Sequence, residues 1–225
     1  MLDVQDIQTR ADRSLLDRPL GEIVDGIVDG GQAWRDMSLA VLASTTGASC
    51  LVAACAELAD RPECQPRLLD LARVLARARY LRQQLPVQID DLQSAQRDLD
   101  RARGLPHRDA HDSASRRTAV QLTLRHTLSR RLEIAGASAE LACLAGEARM
   151  LSGEPDSGLT GLARLWASTA LTRTIESVER ELGDAREPFL CEYVASDLAR
   201  LRHELCATSA LGDTRGIPTG DPVVA

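Results

Sequence analysis

The residues able to do chemistry in this chain fall into a few short clusters. Asp90 and Asp91 are adjacent. On a helix they point about 100° apart, so one can face a pocket while the other faces water. A buried Asp90 would serve as a general base; the alternative is a solvated acidic turn beside Arg97 and Arg101. His107 and His111 bracket Arg108-Asp109-Ala110, the i, i+4 spacing that sets two imidazoles on one helix face. Zinc would need a third ligand, and Asp109 or Asp112 are at hand. The reading taken is an exposed helix start with Asp or Ser as cap, and no metal. His107 itself is a candidate acid/base group.

A third cluster is Trp34-Arg35-Asp36. An aromatic ring and a fixed cation suit a planar or acidic small molecule, while Asp36 is either an alternative base or the N-cap of the following helix. Next come the hydroxyls of Ser38, Ser44, Thr45, Thr46 and Ser49. They either line a pocket, with Ser38 and Thr45 as substrate contacts, or bond back to their own helix. No nucleophile elbow, dinucleotide glycine pattern or paired Cys and His is present. Arg116-Arg117 and Arg130-Arg131 read as exposed faces beside acids.

These groups must be positioned by helices. Leu and Ala dominate, apolar positions recur at three and four, and no alternating β-branched run occurs. Six helices are expected, at about Ser14 to Val28, Asp36 to Leu58, Pro66 to Ala102 with a kink at Pro86, Ser113 to Leu151, Gly158 to Leu182 and Pro188 to Thr208. Helices this long need long partners. The expected fold is all-α: an elongated bundle of about six helices in one domain over residues 1–211, dimerising through its long helices, with a flexible tail over 212–225. The uncharged stretch from Met37 to Ala56 is long enough to span a membrane. Its hydroxyls and glycine fit a buried helix better, with Ala40, Ser44 and Gly47 letting another helix come close.

Composition narrows the function. Of 225 residues, 44% are hydrophobic, enough for a sizeable core. The net charge is -6 and aromatics are 2%, which argues against nucleic acid as a partner. All 27 basic residues are Arg, so Schiff-base chemistry, pyridoxal attachment and a P-loop lysine are excluded. No cofactor is called for. The six cysteines form no CxxC pair, and with no secretory h-region at the N-terminus they read as buried thiols in a reducing cytoplasm.

Four segments together resemble the cyclodeaminase/cyclohydrolase family, which includes the C-terminal domain of formiminotransferase-cyclodeaminase and methenyltetrahydrofolate cyclohydrolases. LLDRPLGEIVDGIV resembles its opening amphipathic helix. SLAVLASTTGASCLVAACAEL resembles its small-residue helix, with Ser38, Leu42, Gly47 and Ala48 on the family's Ser, Leu, Gly and Ala. QIDDLQSAQRDLDRARGLP has the spacing of its I-D-x-D-x-x-A-F segment running to Leu-Pro. RTAVQLTLRHTLSRRLEIA resembles its A-L-Q-x-A-L…P-L-x-V-A helix. The resemblance covers about Leu15 to Leu205 and implies an all-α homodimer with a folate-like pocket between helices, where a C–N ring bond forms or breaks through proton transfers.

The departures are as informative. Trp34, Arg35, Asp36 and Met37 stand where the family's Pro-Gly-Gly-Gly loop belongs, and bulky residues block the close backbone approach that glycines allow. Asp90 matches the first Asp of the acidic segment, but Leu92 takes the second and Gln96 the Phe. His107 stands where Lys often follows Leu-Pro. The family's N-V-R-I-N stretch reads Ser177-Val178-Glu179-Arg180-Glu181. The resulting expectation is an enzyme retasked to ring closure, ring opening or dehydration of another small molecule, with Asp90, His107 and Asp36 catalytic and Trp34, Arg35, Ser38 and Thr45 holding the substrate. The alternative is a non-catalytic helical homodimer, a binding or scaffold protein; an intact folate enzyme is the third.

Overall fold

The computed structural model describes residues 32–152 and 158–213. Five α-helices are found there, and no strand occurs among the described residues. They are α1 (Gln32–Ala59), α2 (Leu68–Arg103), α3 (Ala110–Ser152), α4 (Leu159–Leu182) and α5 (Pro188–Asp213), with a 3₁₀ turn at Pro62–Arg67 between the first two. The all-α bundle expected from the sequence is therefore what the chain forms. The helix expected over Ser14 to Val28 lies outside the described residues, as does the tail beyond Asp213.

Two boundaries differ from expectation. α1 begins at Gln32, so Trp34, Arg35 and Asp36 are inside a helix and Asp36 is not its N-cap. Nothing in Trp-Arg-Asp-Met breaks a helix once the glycines are gone. α5 runs on to Asp213, through Gly212. α2 continues through Pro86. Proline there removes the bond to the carbonyl of Arg82, and Arg82 is exposed, so water can take that carbonyl.

Tight ends set the helix order. Gly104 closes α2, its N–H reaching the carbonyls of Asp100 and Arg101. The Asp109 carboxylate accepts from the Asp112 N–H at 2.7 Å, the capping expected for an exposed start of α3. His107 precedes the helix and His111 is in its first turn, so the two do not share a helical face. Arg67 donates to the last carbonyls of α3, at Met150 and Leu151. Pro188 opens α5, where its missing N–H costs nothing.

α3 is the axis of the molecule. Between Arg131 and Ala148 most side chains are buried, because α1, α2, α4 and α5 all pack on it; the stripe of Glu133, Glu140, Cys143 and Glu147 is left toward water. Ser44 of α1 meets Ser138, and Gly47 faces Leu141. The offset is the same in both pairs, so α1 and α3 run parallel in fixed register. The core divides into two clusters. One joins α1, the first half of α2, the second half of α3 and the start of α4, and is rich in Ala. The other joins Leu99, the middle of α3, the second half of α4 and α5, and is rich in Leu.

The close approach expected at Ala40, Ser44 and Gly47 is present, and all three are buried. A Cβ on Gly47 would lie 3.0 Å from the Ala163 carbonyl oxygen and 3.2 Å from the Trp166 Cβ, so α1 and α4 touch backbone to backbone there. The cysteines are free, as expected, but only in part buried: Cys55 and Cys64 are inside, whereas Cys143 and Cys206 are exposed. Burial pushes the Cys55 thiol up to about 11, which keeps it inert.

Candidate functional site, a polar belt through the bundle

On α2 the two apolar clusters are separated by the stretch that carries Asp90, Gln93 and Gln96. Their spacing of three sets them along one side of the helix. Facing them, α3 presents Arg131. Its side chain is 3% exposed, which corrects the expectation that Arg130-Arg131 forms an outer face. Arg130 does pair with Glu133 nearer the surface, at 2.8 Å. Arg131 instead enters the core and holds three partners: Gln96 Oε1 at 2.9 Å, Glu181 Oε1 at 2.9 Å and Ser177 Oγ. Gln96 passes the connection on to Asp100 through its amide at 3.2 Å.

Glu181 sits with its side chain 12% exposed. Burial raises its pKa above the usual carboxylate range, while Arg131 and then Arg103 pull it back and Asp100 and Asp184 push it up again. The ion pair thus only partly offsets the loss of water around the carboxylate. Its second oxygen, Oε2, is buried and accepts no hydrogen bond. Gln93 Nε2 and Gln88 Oε1 are also buried and unpartnered. Buried polar atoms in folded proteins nearly always have partners, so these atoms need an explanation.

Trp34, Arg35, Asp36 and Ser38 lie in the first two turns of α1. Asp90 is half-buried and stands about 9 Å along α2 from Gln96. Of the seven site residues expected from sequence, Asp90 lies on the belt's stretch of α2. Two others lie away from it. Thr45 is about two turns further up α1; its Oγ1 is buried without a partner, and its carbonyl accepts from Ser49 at 2.9 Å. His107 lies beyond Arg103, about 20 Å from Asp90 along the axis of α2. It is exposed and lines a surface groove.

The belt members not anticipated are Gln88, Gln93, Arg131, Ser177 and Glu181. Their signal is present in the sequence. Arg131 stands seven residues after Leu124 and four before Ala135, on the buried stripe of α3; Glu181 stands three after Val178 and seven after Thr174, on the buried stripe of α4. A charge on an apolar stripe marks a buried pair or a site. Ser177, Glu181 and Gln96 also occupy positions where the resemblance expects motif residues.

No family model matches the chain, and no curated protein matches it in sequence. The likeness to the cyclodeaminase/cyclohydrolase family rests on its four segments.

Proposed function

We propose that this chain is an acid/base enzyme acting on a small molecule, retasked from a cyclodeaminase/cyclohydrolase-like bundle, with the polar belt as its centre. The observation that supports this reading is the set of buried polar atoms without partners, Glu181 Oε2, Gln93 Nε2 and Gln88 Oε1, in a bundle otherwise packed by Leu and Ala. A ligand with one donor and one acceptor edge, such as a cyclic amidine or lactam, satisfies them. In this reading Glu181, whose pKa burial raises, donates a proton to a ring nitrogen. Asp90 takes one from the attacking water, and the C–N ring bond opens. Arg131 positions the Glu181 carboxyl through Oε1. His107 has no part in it.

The test is a panel of cyclic amidines and lactams, methenyltetrahydrofolate included, with ring opening read as the mass gain of one water. The expected result is turnover of at least one non-folate member, lost in Asp90→Asn and Glu181→Gln while helicity is kept. No turnover across the panel, or turnover indifferent to both substitutions, sinks the reading.

A second reading, a non-catalytic helical homodimer, has its own support. The stretch Leu42–Ala59 of α1 is long and apolar enough to cross a membrane, yet only 44% of it is buried. Beside it Trp166 rises from the α1/α4 seam, and Leu162 and Leu165 are exposed on α4, the latter 60%. A second copy would cover this face. Light scattering distinguishes the cases: a dimer that falls to monomer in Leu165→Glu supports it, and a monomeric wild-type chain removes it.

A further inference from the structure

Beyond the belt, the far end of the bundle carries positive charge that the fold does not neutralise. A groove of about 440 Å³ opens between the last turn of α2, the first turns of α3 and the α4–α5 turn. Arg103, Arg116, Arg117 and Arg186 line it, with His107, against the single carboxylate of Asp184. The whole chain is net negative at -6, so this concentration of cations runs against the average of the molecule.

Half of the groove is braced by its own hydrogen bonds. Arg103 pairs with Asp184 at 2.8 Å. Arg116 Nε donates to the Arg103 carbonyl at 3.0 Å. Gln121 clamps the turn from both sides: its amide donates to the Asp184 carbonyl at 3.2 Å and its oxygen accepts from the Arg186 N–H at 2.9 Å. These contacts fix three elements against one another. The remaining two guanidinium groups, on Arg117 and Arg186, are exposed and bond to no described side chain. Both also line the adjoining groove of about 360 Å³, so they stand on the ridge between the two.

We propose that this groove is a binding site for a phosphate group, carried by a small phosphate ester or free in solution. Asp184 and Asp100 both pair with Arg103, which leaves Arg116, Arg117 and Arg186 to repel one another across the groove. An anion with several acceptor oxygens offsets that repulsion. A phosphate presents three terminal oxygens in three directions, which suits cations arriving from three separate elements. A carboxylate offers two oxygens in one plane and would meet a single fork. The braced pair, Arg103 and Arg116, forms the floor; Arg117 and Arg186 close over the ligand. The groove lies next to the belt, Arg103 and Asp184 acting on Glu181 as well, but the proposal does not depend on the reading given to the belt.

The test is calorimetric titration of the full chain with inorganic phosphate and with glycerol phosphate, at constant ionic strength. Sodium chloride is the control for general screening. The expected result is saturable binding that weakens about tenfold or more in Arg117→Ala/Arg186→Ala. The double variant should leave the fold intact, since neither guanidinium holds another element, and Arg73→Ala on the other side of the bundle should bind as wild type does. Tighter binding of the ester identifies an organic ligand, and equal binding identifies free phosphate. Absence of saturation with either anion, or equal binding by wild type and the double variant, overturns the proposal.

Discussion

The two halves of this bundle solve the same packing problem in opposite ways. Around α1 the core mixes Ala with Leu, Ala48, Ala163 and Ala167 beside Leu51, Leu58 and Leu141, and the helices meet backbone to backbone at Gly47. Around α5 it is mostly Leu, with Leu124, Leu128, Leu171, Leu198 and Leu201. The first half gains dispersion from close approach and has no room to spare. The second gains from apolar area and depends on every methyl group. The polar belt on α2 lies between them, where neither scheme applies. A change that breaks one half should therefore be mild in the other.

The largest effect should come from the belt. Arg131→Met strands Glu181 in the core, and the expected loss is about 3–5 kcal/mol in urea unfolding. Adding Glu181→Leu should restore much of it, because replacing both charges removes the stranded one. The pH profile gives a second readout. Burial lifts the Glu181 pKa, so the folded chain keeps that proton to higher pH than the unfolded chain does. The stabilisation is complete below the unfolded value of about 4.3 and declines as pH rises toward the folded one. Glu181→Gln should flatten the stability curve over that interval. An unchanged slope would mean the carboxyl is as well solvated as in the unfolded chain.

The next effects set the two cores against each other. Leu128 is fully buried, so Leu128→Ala should cost about 3 kcal/mol, lost transfer energy plus a cavity. Gly47→Ala adds one carbon to a seam with no room, where Leu128→Ala removes three from a filled one. It meets a backbone oxygen at 3.0 Å and should destabilise by about 1 kcal/mol, since strain of about 1–3 kcal/mol exceeds the helix-propensity gain of about 1. Chemical denaturation of both decides it. A stabilising Gly47→Ala would show that α1 and α4 can part without loss, and the contrast between the halves would fail.

The helices were legible in the sequence because helical periodicity is a local signal, and so was the small-residue face at Ala40, Ser44 and Gly47. The buried face of α2 was not: Leu71, Val74, Ala78, Leu81 and Leu85 form it, while Leu69 in the same apolar run is 89% exposed. The start of α1 was misjudged because the Trp34-Arg35-Asp36 segment was aligned with a glycine loop, whereas its own residues all tolerate a helix. Arg131 was misplaced for a different reason. Two adjacent arginines look alike in sequence, but they point about 100° apart, and only one lies on the Leu124–Leu128–Ala135 stripe. The partners of Arg131 come from 35 and 50 positions away, and no local pattern carries that. The arginine groove was illegible for the same reason, being assembled from three helix ends.

The smallest effect tests the α1 seam alone. Ser44 and Ser138 are both fully buried and their hydroxyls lie 3.0 Å apart. Ser138 also reaches the Ile134 carbonyl at 2.8 Å. A hydroxyl has one proton; Ser138 gives its own to Ile134, so Ser44 must be the donor between the two. The substitutions are then unequal. Ser44→Ala leaves Ser138 still donating and should cost about 0.5 kcal/mol, whereas Ser138→Ala strands a buried donor and should cost about 1–2 kcal/mol. The double variant should cost less than the two added together. Equal single costs would mean that the freed Ser44 hydroxyl turns back to the Ala40 carbonyl. The seam would then be held by the fit of small residues, and the hydrogen bond across it would add nothing to that.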